Sequence, residues 1–98
     1  MTILLDTDTA HQIRTLAISA GMEAATDLAN EGASREALLR CASPQGDWGI
    51  SSSEAWYHQC RSEGLRHLSE SEEAHDLYCE HYEAAARAQC RDLASEEE

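Results

Sequence analysis

Alanine, rather than a large aliphatic residue, is the dominant apolar side chain of this sequence. Sixteen of its 98 residues are alanine, fourteen are leucine or isoleucine, and valine and phenylalanine are absent. So few large aliphatics beside a net charge of −12 is a composition that usually signals disorder. Alanine argues the other way, because it is the best helix former and lets helix backbones approach closely. The expectation is therefore all-α: one small four-helix domain over residues 1–94, with a thin core and modest stability that self-association would help.

Hydrophobic periodicity and capping residues divide the chain. Asp6 or Asp8 can cap a first helix. Ala10, Ile13, Leu16, Ala17, Ala20, Ala24 and Leu28 share one face of it, with Gly21 at the edge allowing a close crossing or splitting the helix. Gly32 suits the left-handed position after a helix end. Ser34 can cap a short second helix that Pro44 terminates, since the residue before proline avoids helical geometry. Residues 43–51 form the one clear loop. Ser51 with Glu54 and Ser69 with Glu72 read as capping boxes. They predict a third helix reaching about Leu68, with Trp56, Cys60, Gly64, His67 and Leu68 along one side. A fourth follows almost without a gap, making a tight C-terminal hairpin. The only hint of a strand is the TILL segment at the start.

On a helical wheel the fourth helix is amphipathic. Ala74, Leu77, Tyr78, His81, Ala84, Ala85 and Ala88 form the apolar side. Glu73, Asp76, Glu80, Glu83, Arg87 and Arg91 form the other, with Glu83 and Arg87 at pairing distance along the helix. His81 reads as a buried, hydrogen-bonded histidine. The closing glutamates oppose the helix dipole, so residues 95–98 are expected to fray into a disordered acidic tail.

The charge bounds the partners. A chain this acidic repels nucleic acid phosphates and anionic membranes, so no direct nucleic acid binding is expected. No segment is apolar enough to span a membrane, and the start lacks the basic region of a signal peptide. The expected location is the cytoplasm, with Cys41, Cys60, Cys79 and Cys90 as reduced thiols that pack as small hydrophobes. Two ligands on one helix reach a common ion only when three or four residues apart. On the fourth helix His75 and Cys79 meet that spacing, with Cys60 or His67 as a possible third ligand across the hairpin. One pair falls short of the four ligands of a structural zinc site. It leaves weak candidates and no expected metal or cofactor. No nucleophile signature, phosphate loop or HExxH motif points to an enzyme.

All five aromatic residues lie between Trp48 and Tyr82. Trp48, in the Gly-flanked GDWG loop, is either a lid on the thin core or an interface anchor. Residues 50–98 carry twelve acids and four bases, against seven and three before them. The expected partner-binding residues are therefore Trp48, Glu73, Asp76, Glu80 and Glu83. In size, acidity, arginine-only basic content and lack of motifs, the chain resembles small phage-encoded inhibitors of the anti-CRISPR type. The resemblance is one of overall character. It implies a non-enzymatic inhibitor that docks on the basic surface of a host complex and blocks its nucleic acid site or a moving subunit, with DNA mimicry as one possible mode. A carboxylate row on one helix is sparser than the charge of duplex DNA, so a mimic would have to recruit other faces. The alternatives are a homodimeric structural or adaptor protein and a small zinc-stabilised domain.

Overall fold

The computed structural model describes residues 6–43, 48–62 and 64–96, and the backbone alone at Glu96. The chain folds into four helices: α1 (Thr7–Asn30), α2 (Arg35–Ala42), α3 (Gly49–Ser62) and α4 (Glu72–Glu96). A 3-10 turn, Arg66–Leu68, links the last two. No strand occurs among the described residues, and the TILL segment lies outside them.

The local signals explain most helix ends. Asp6 caps α1, its Oδ1 accepting the Thr9 N–H at 2.6 Å. That contact with the backbone holds the Asp6 carboxyl below its ordinary range. Gly32 (φ +100°) closes α1 as the sequence implies. The Ala33 N–H reaches back to the Leu28 carbonyl and the Gly32 N–H to that of Ala29, a Schellman pair. Ser34 caps α2 through the Ala37 N–H at 3.1 Å. Ser43 turns extended (φ −73°, ψ 159°) immediately before Pro44, as the clash with a following proline ring requires.

The later boundaries differ from expectation. Gly64 (φ +71°) ends α3 at Ser62 through a Leu65 N–H bond to the Cys60 carbonyl, well before Leu68. Ser71 caps α4 in place of Ser69, accepting the Ala74 N–H at 3.2 Å. Ser69 instead spends its hydroxyl on the Arg66 carbonyl within the 3-10 turn. α3 starts at Gly49, and Ser51 is an exposed residue inside the helix. The Trp48 carbonyl accepts its first helical bond, from the Ser52 N–H. At the C-terminal end α4 continues to Glu96, two residues into the expected tail, while Glu97 and Glu98 lie outside the described residues.

The dominant contact joins α1 to α4 rather than α3 to α4, so the C-terminal hairpin is not the centre of the fold. The two long helices run parallel. Arg14 lines a cleft with Glu73 and Glu80, Gly21 backs on Tyr82 and Ala85, and Gln89 donates to the Thr26 hydroxyl at 3.4 Å. Buried residues recur at steps of four on both: Ile13, Ala17, Gly21 and Ala25 on α1, and Ala74, Tyr78, Tyr82, Ala86, Cys90 and Ala94 on α4. Such i±4 rows are the ridges by which helices interlock. Four residues turn a helix about 40° past a full revolution, so the α4 row winds roughly 200° from Ala74 to Ala94. Its start meets α3 and its end meets α2, where Arg35 Nε donates to the Ala94 carbonyl at 3.3 Å.

That winding corrects the expected apolar face. Ala84 and Ala88 are exposed and His81 is half-buried, because a fixed wheel assumes one partner and α4 has three. Four of the large buried side chains are aromatic. Trp56, Tyr78, Tyr82 and Trp48 form a continuous run with centroid separations of 5.4, 5.9 and 6.4 Å. Trp48 is 7% exposed, and its indole donates to the Cys41 carbonyl at 3.0 Å. It is the lid of the two readings open for it, tying the start of α3 to the end of α2.

Two outcomes are expected. A β-carbon at Gly21 would press into the Tyr82 carbonyl, and the α4 backbone cannot step aside. Gly21→Ala should therefore lower stability by about 1–3 kcal/mol by chemical denaturation, despite alanine's better helix propensity. Gly21→Ala as stable as wild type would show that the helices do not pack this closely. Burial pushes the Tyr78 phenol up to about 12 and the Cys90 thiol up to about 11. Between the ordinary and raised values the unfolded chain releases these protons and the folded chain keeps them, so stability should fall as pH rises from about 9 to 12. Tyr78→Phe should flatten the decline, read as the denaturation midpoint against pH.

Candidate functional site

Helix α4 gathers most of the chemistry in its first three turns. Ser71 fixes where the helix starts, which sets the direction of every later side chain. His75 then faces α3. Its Nε2 lies 3.1 Å from Ser53 Oγ and 3.5 Å from Cys79 Sγ, and its Nδ1 lies 3.5 Å from Asp76 Oδ1. The Tyr57 ring stands 6.2 Å from the imidazole at 33°. A surface cleft opens beside them, lined by Tyr57, Ser69, Glu70, Ser71, Glu72 and His75. A second lies toward α1, where Ala10, Arg14 and Leu77 meet Glu73, Asp76 and Glu80.

Parallel packing brings the N-termini of both long helices to one end of the molecule. Each N-terminus carries a partial positive charge that favours carboxylates. Asp6, Asp8, Glu70, Glu72, Glu73, Asp76 and Glu80 are all exposed in this region. The two dipoles favour Asp6 and Asp8 at the start of α1, and Glu72 and Glu73 in the first turn of α4. Between its carboxylates lies the Arg14 side chain.

Three of the sequence-predicted partner-binding residues, Glu73, Asp76 and Glu80, therefore stand together in the open. Glu83 is set apart: it is half-buried and pairs with Arg87 at 3.7 Å. Trp48 is buried in the core, away from the acidic end. The sequence reading missed Ile50 and Tyr57, which are 71% and 52% exposed. They sit seven residues apart on α3, outside the buried row Ser52, Trp56 and Cys60. That i, i+7 relation was the available signal.

His75 and Cys79 meet as their spacing allows. Cys60, offered as a third ligand, is buried in the core, and His67 is exposed. Among the described residues no group of three histidine, cysteine or carboxylate side chains could hold a metal ion. All four cysteines are free thiols. Cys60 and Cys90 are buried, and desolvation pushes both thiols up, while Cys41 and Cys79 are half-buried.

No family model matches the chain, and no curated protein or solved structure matches it either.

Among the described residues, two ligands stand where a structural zinc site takes four. Purified protein is expected to carry less than one equivalent of zinc, and a chelator should leave its circular dichroism unchanged. Loss of helicity on chelation would overturn this.

Proposed function

We propose that this chain is a non-enzymatic protein-binding inhibitor, docking its acidic, aromatic-bearing helical face on a basic groove of a host nucleic-acid-handling complex, in the manner of anti-CRISPR proteins. The observation that carries the reading is the exposed cluster Glu73, Asp76 and Glu80 at the shared end of α1 and α4, with exposed Tyr57 beside Glu72 in the neighbouring cleft. Opposite charge speeds the encounter, and a large ring excluded from water holds the complex. Tyr57, with Ile50 on the same helix, takes the anchoring part for which buried Trp48 is unsuited. Among the described residues no helix is long and apolar enough to cross a membrane, and cytoplasmic action fits four unpaired thiols.

One observation favours a homodimeric adaptor as a second reading. Ile18 and Met22 are exposed one turn apart on α1. Covering them with a second copy would add burial to a core short of large aliphatics. A mass measurement in solution separates the readings, since the inhibitor face leaves Ile18 and Met22 uncovered.

The test is binding kinetics against the complex retained from host extract. Arginine at Glu73, Asp76 and Glu80 should slow association about tenfold or more and flatten its salt dependence. Tyr57→Ala should mainly speed dissociation, by a factor corresponding to about 2 kcal/mol. Both should keep the wild-type helical spectrum. If neither rate constant moves, while Ile18→Ser with Met22→Ser abolishes binding, the interface lies on α1 and this reading fails.

A further inference from the structure

Of the groups converging on His75, the docking surface uses Asp76 and leaves the others idle. Ser53, His75, Asp76 and Cys79 come from two helices and meet at one imidazole. With the proton on Nδ1, toward the Asp76 carboxylate, Nε2 is an acceptor open to both the Ser53 hydroxyl and the Cys79 thiol. In this tautomer Asp76 accepts from Nδ1, and the two donors share the one lone pair on Nε2. A nucleophile, a base and a group orienting the base are the parts that activate a thiol.

The other cysteines lack this setting. Cys60 and Cys90 are 2% and 0% exposed. Cys41 is half-buried, with its carbonyl taken by the Trp48 indole. Among the described residues, Cys79 is the cysteine whose sulfur meets an imidazole. The charged groups around the cluster share one sign. Asp76 faces Nδ1, and Glu70 and Glu72 line the cleft beside the ring. From α3 come the Tyr57 ring and the Ser53 hydroxyl. On the core side, Tyr78 and Cys60 are buried.

We propose that Cys79 is the reactive thiol of this protein, with His75 as its base and Asp76 as the residue positioning that base, and that it forms mixed disulfides with small cationic disulfides. The sulfur attacks one sulfur of the reagent, whose S–S bond breaks as a new one forms to Cys79. The thiol proton passes to His75 Nε2 and from there to the departing thiolate. Cys79 is oxidised, and the released half of the reagent is reduced. Ser53 competes with the thiol for Nε2, and the nearby carboxylates attract a cation and repel an anion.

The experiment treats the whole chain with cystamine, whose ends are ammonium groups, or with glutathione disulfide, which carries net negative charge. The modified cysteine is mapped by mass spectrometry, and each rate is normalised to that of a free thiol. Cys79 is expected to react first. The cystamine rate should exceed the glutathione disulfide rate by about tenfold at low salt, and the gap should close as salt screens the carboxylates. His75→Gln should slow modification of Cys79 by about tenfold and leave Cys41 unchanged. Ser53→Ala should speed it about two- to threefold by freeing Nε2. A merely structural histidine predicts no gain from Ser53→Ala. Modification of Cys41 before Cys79, or His75→Gln and Ser53→Ala reacting at the wild-type rate, would overturn the site. Equal normalised rates for the two disulfides would overturn its preference for cations.

Discussion

The close approach of α1 to α4 at Gly21 holds this molecule in its shape. Two parallel helices of about 36 Å each can bury a large area only where their backbones come near, because most side chains between them are methyl-sized. Ala17, Gly21 and Ala25 supply a shallow row on α1, and the Tyr82 backbone with Ala85 fills it from α4. The contact gains dispersion and area over its length rather than from a few large side chains. It also makes the fold intolerant at its narrowest point. The elongated outline, 49 × 23 × 21 Å, follows from stacking shorter helices against so long a pair.

The bulk missing from that seam is supplied on the other side of α4. Tyr78 and Tyr82 project toward α3 and are met by Trp56 and Trp48, whose burial gives α3 its place. The arrangement carries a cost. The Trp56 indole nitrogen is buried without a hydrogen-bond partner, which opposes part of what the ring stacking contributes. Trp48 avoids that cost through the Cys41 carbonyl. A tryptophan in a glycine-flanked loop thereby becomes the clasp between α2 and α3.

Parallel packing also concentrates the surface charge. Antiparallel long helices would send their N-termini, and the carboxylates those termini favour, to opposite ends. Here both sets share one end, with Tyr57 and the His75 cleft alongside. Acidic docking and thiol chemistry consequently occupy neighbouring faces of the same first turns of α4. That proximity arises from topology and from no motif.

What the sequence determined by itself is local. Asp6, Ser34, Gly32 and the Ser43–Pro44 step mark helix ends because capping and left-handed turns involve only residues close in the chain. The α-helical class follows from alanine-rich periodicity in the same way. Ser51 and Ser69 also satisfied the capping pattern, but several serines compete near each start, and packing of Trp48 and the 3-10 turn selected among the frames. The buried row of α4 could not be read from one wheel, because three neighbours draw it round the helix. Spacing was enough to put Cys79 within reach of His75, since both lie on one helix. Only the tertiary structure could add Ser53, bury Trp48, leave Tyr57 exposed and pair α4 with α1. Each of these depends on which distant segment supplies the second surface, and a helix leaves that open until it packs.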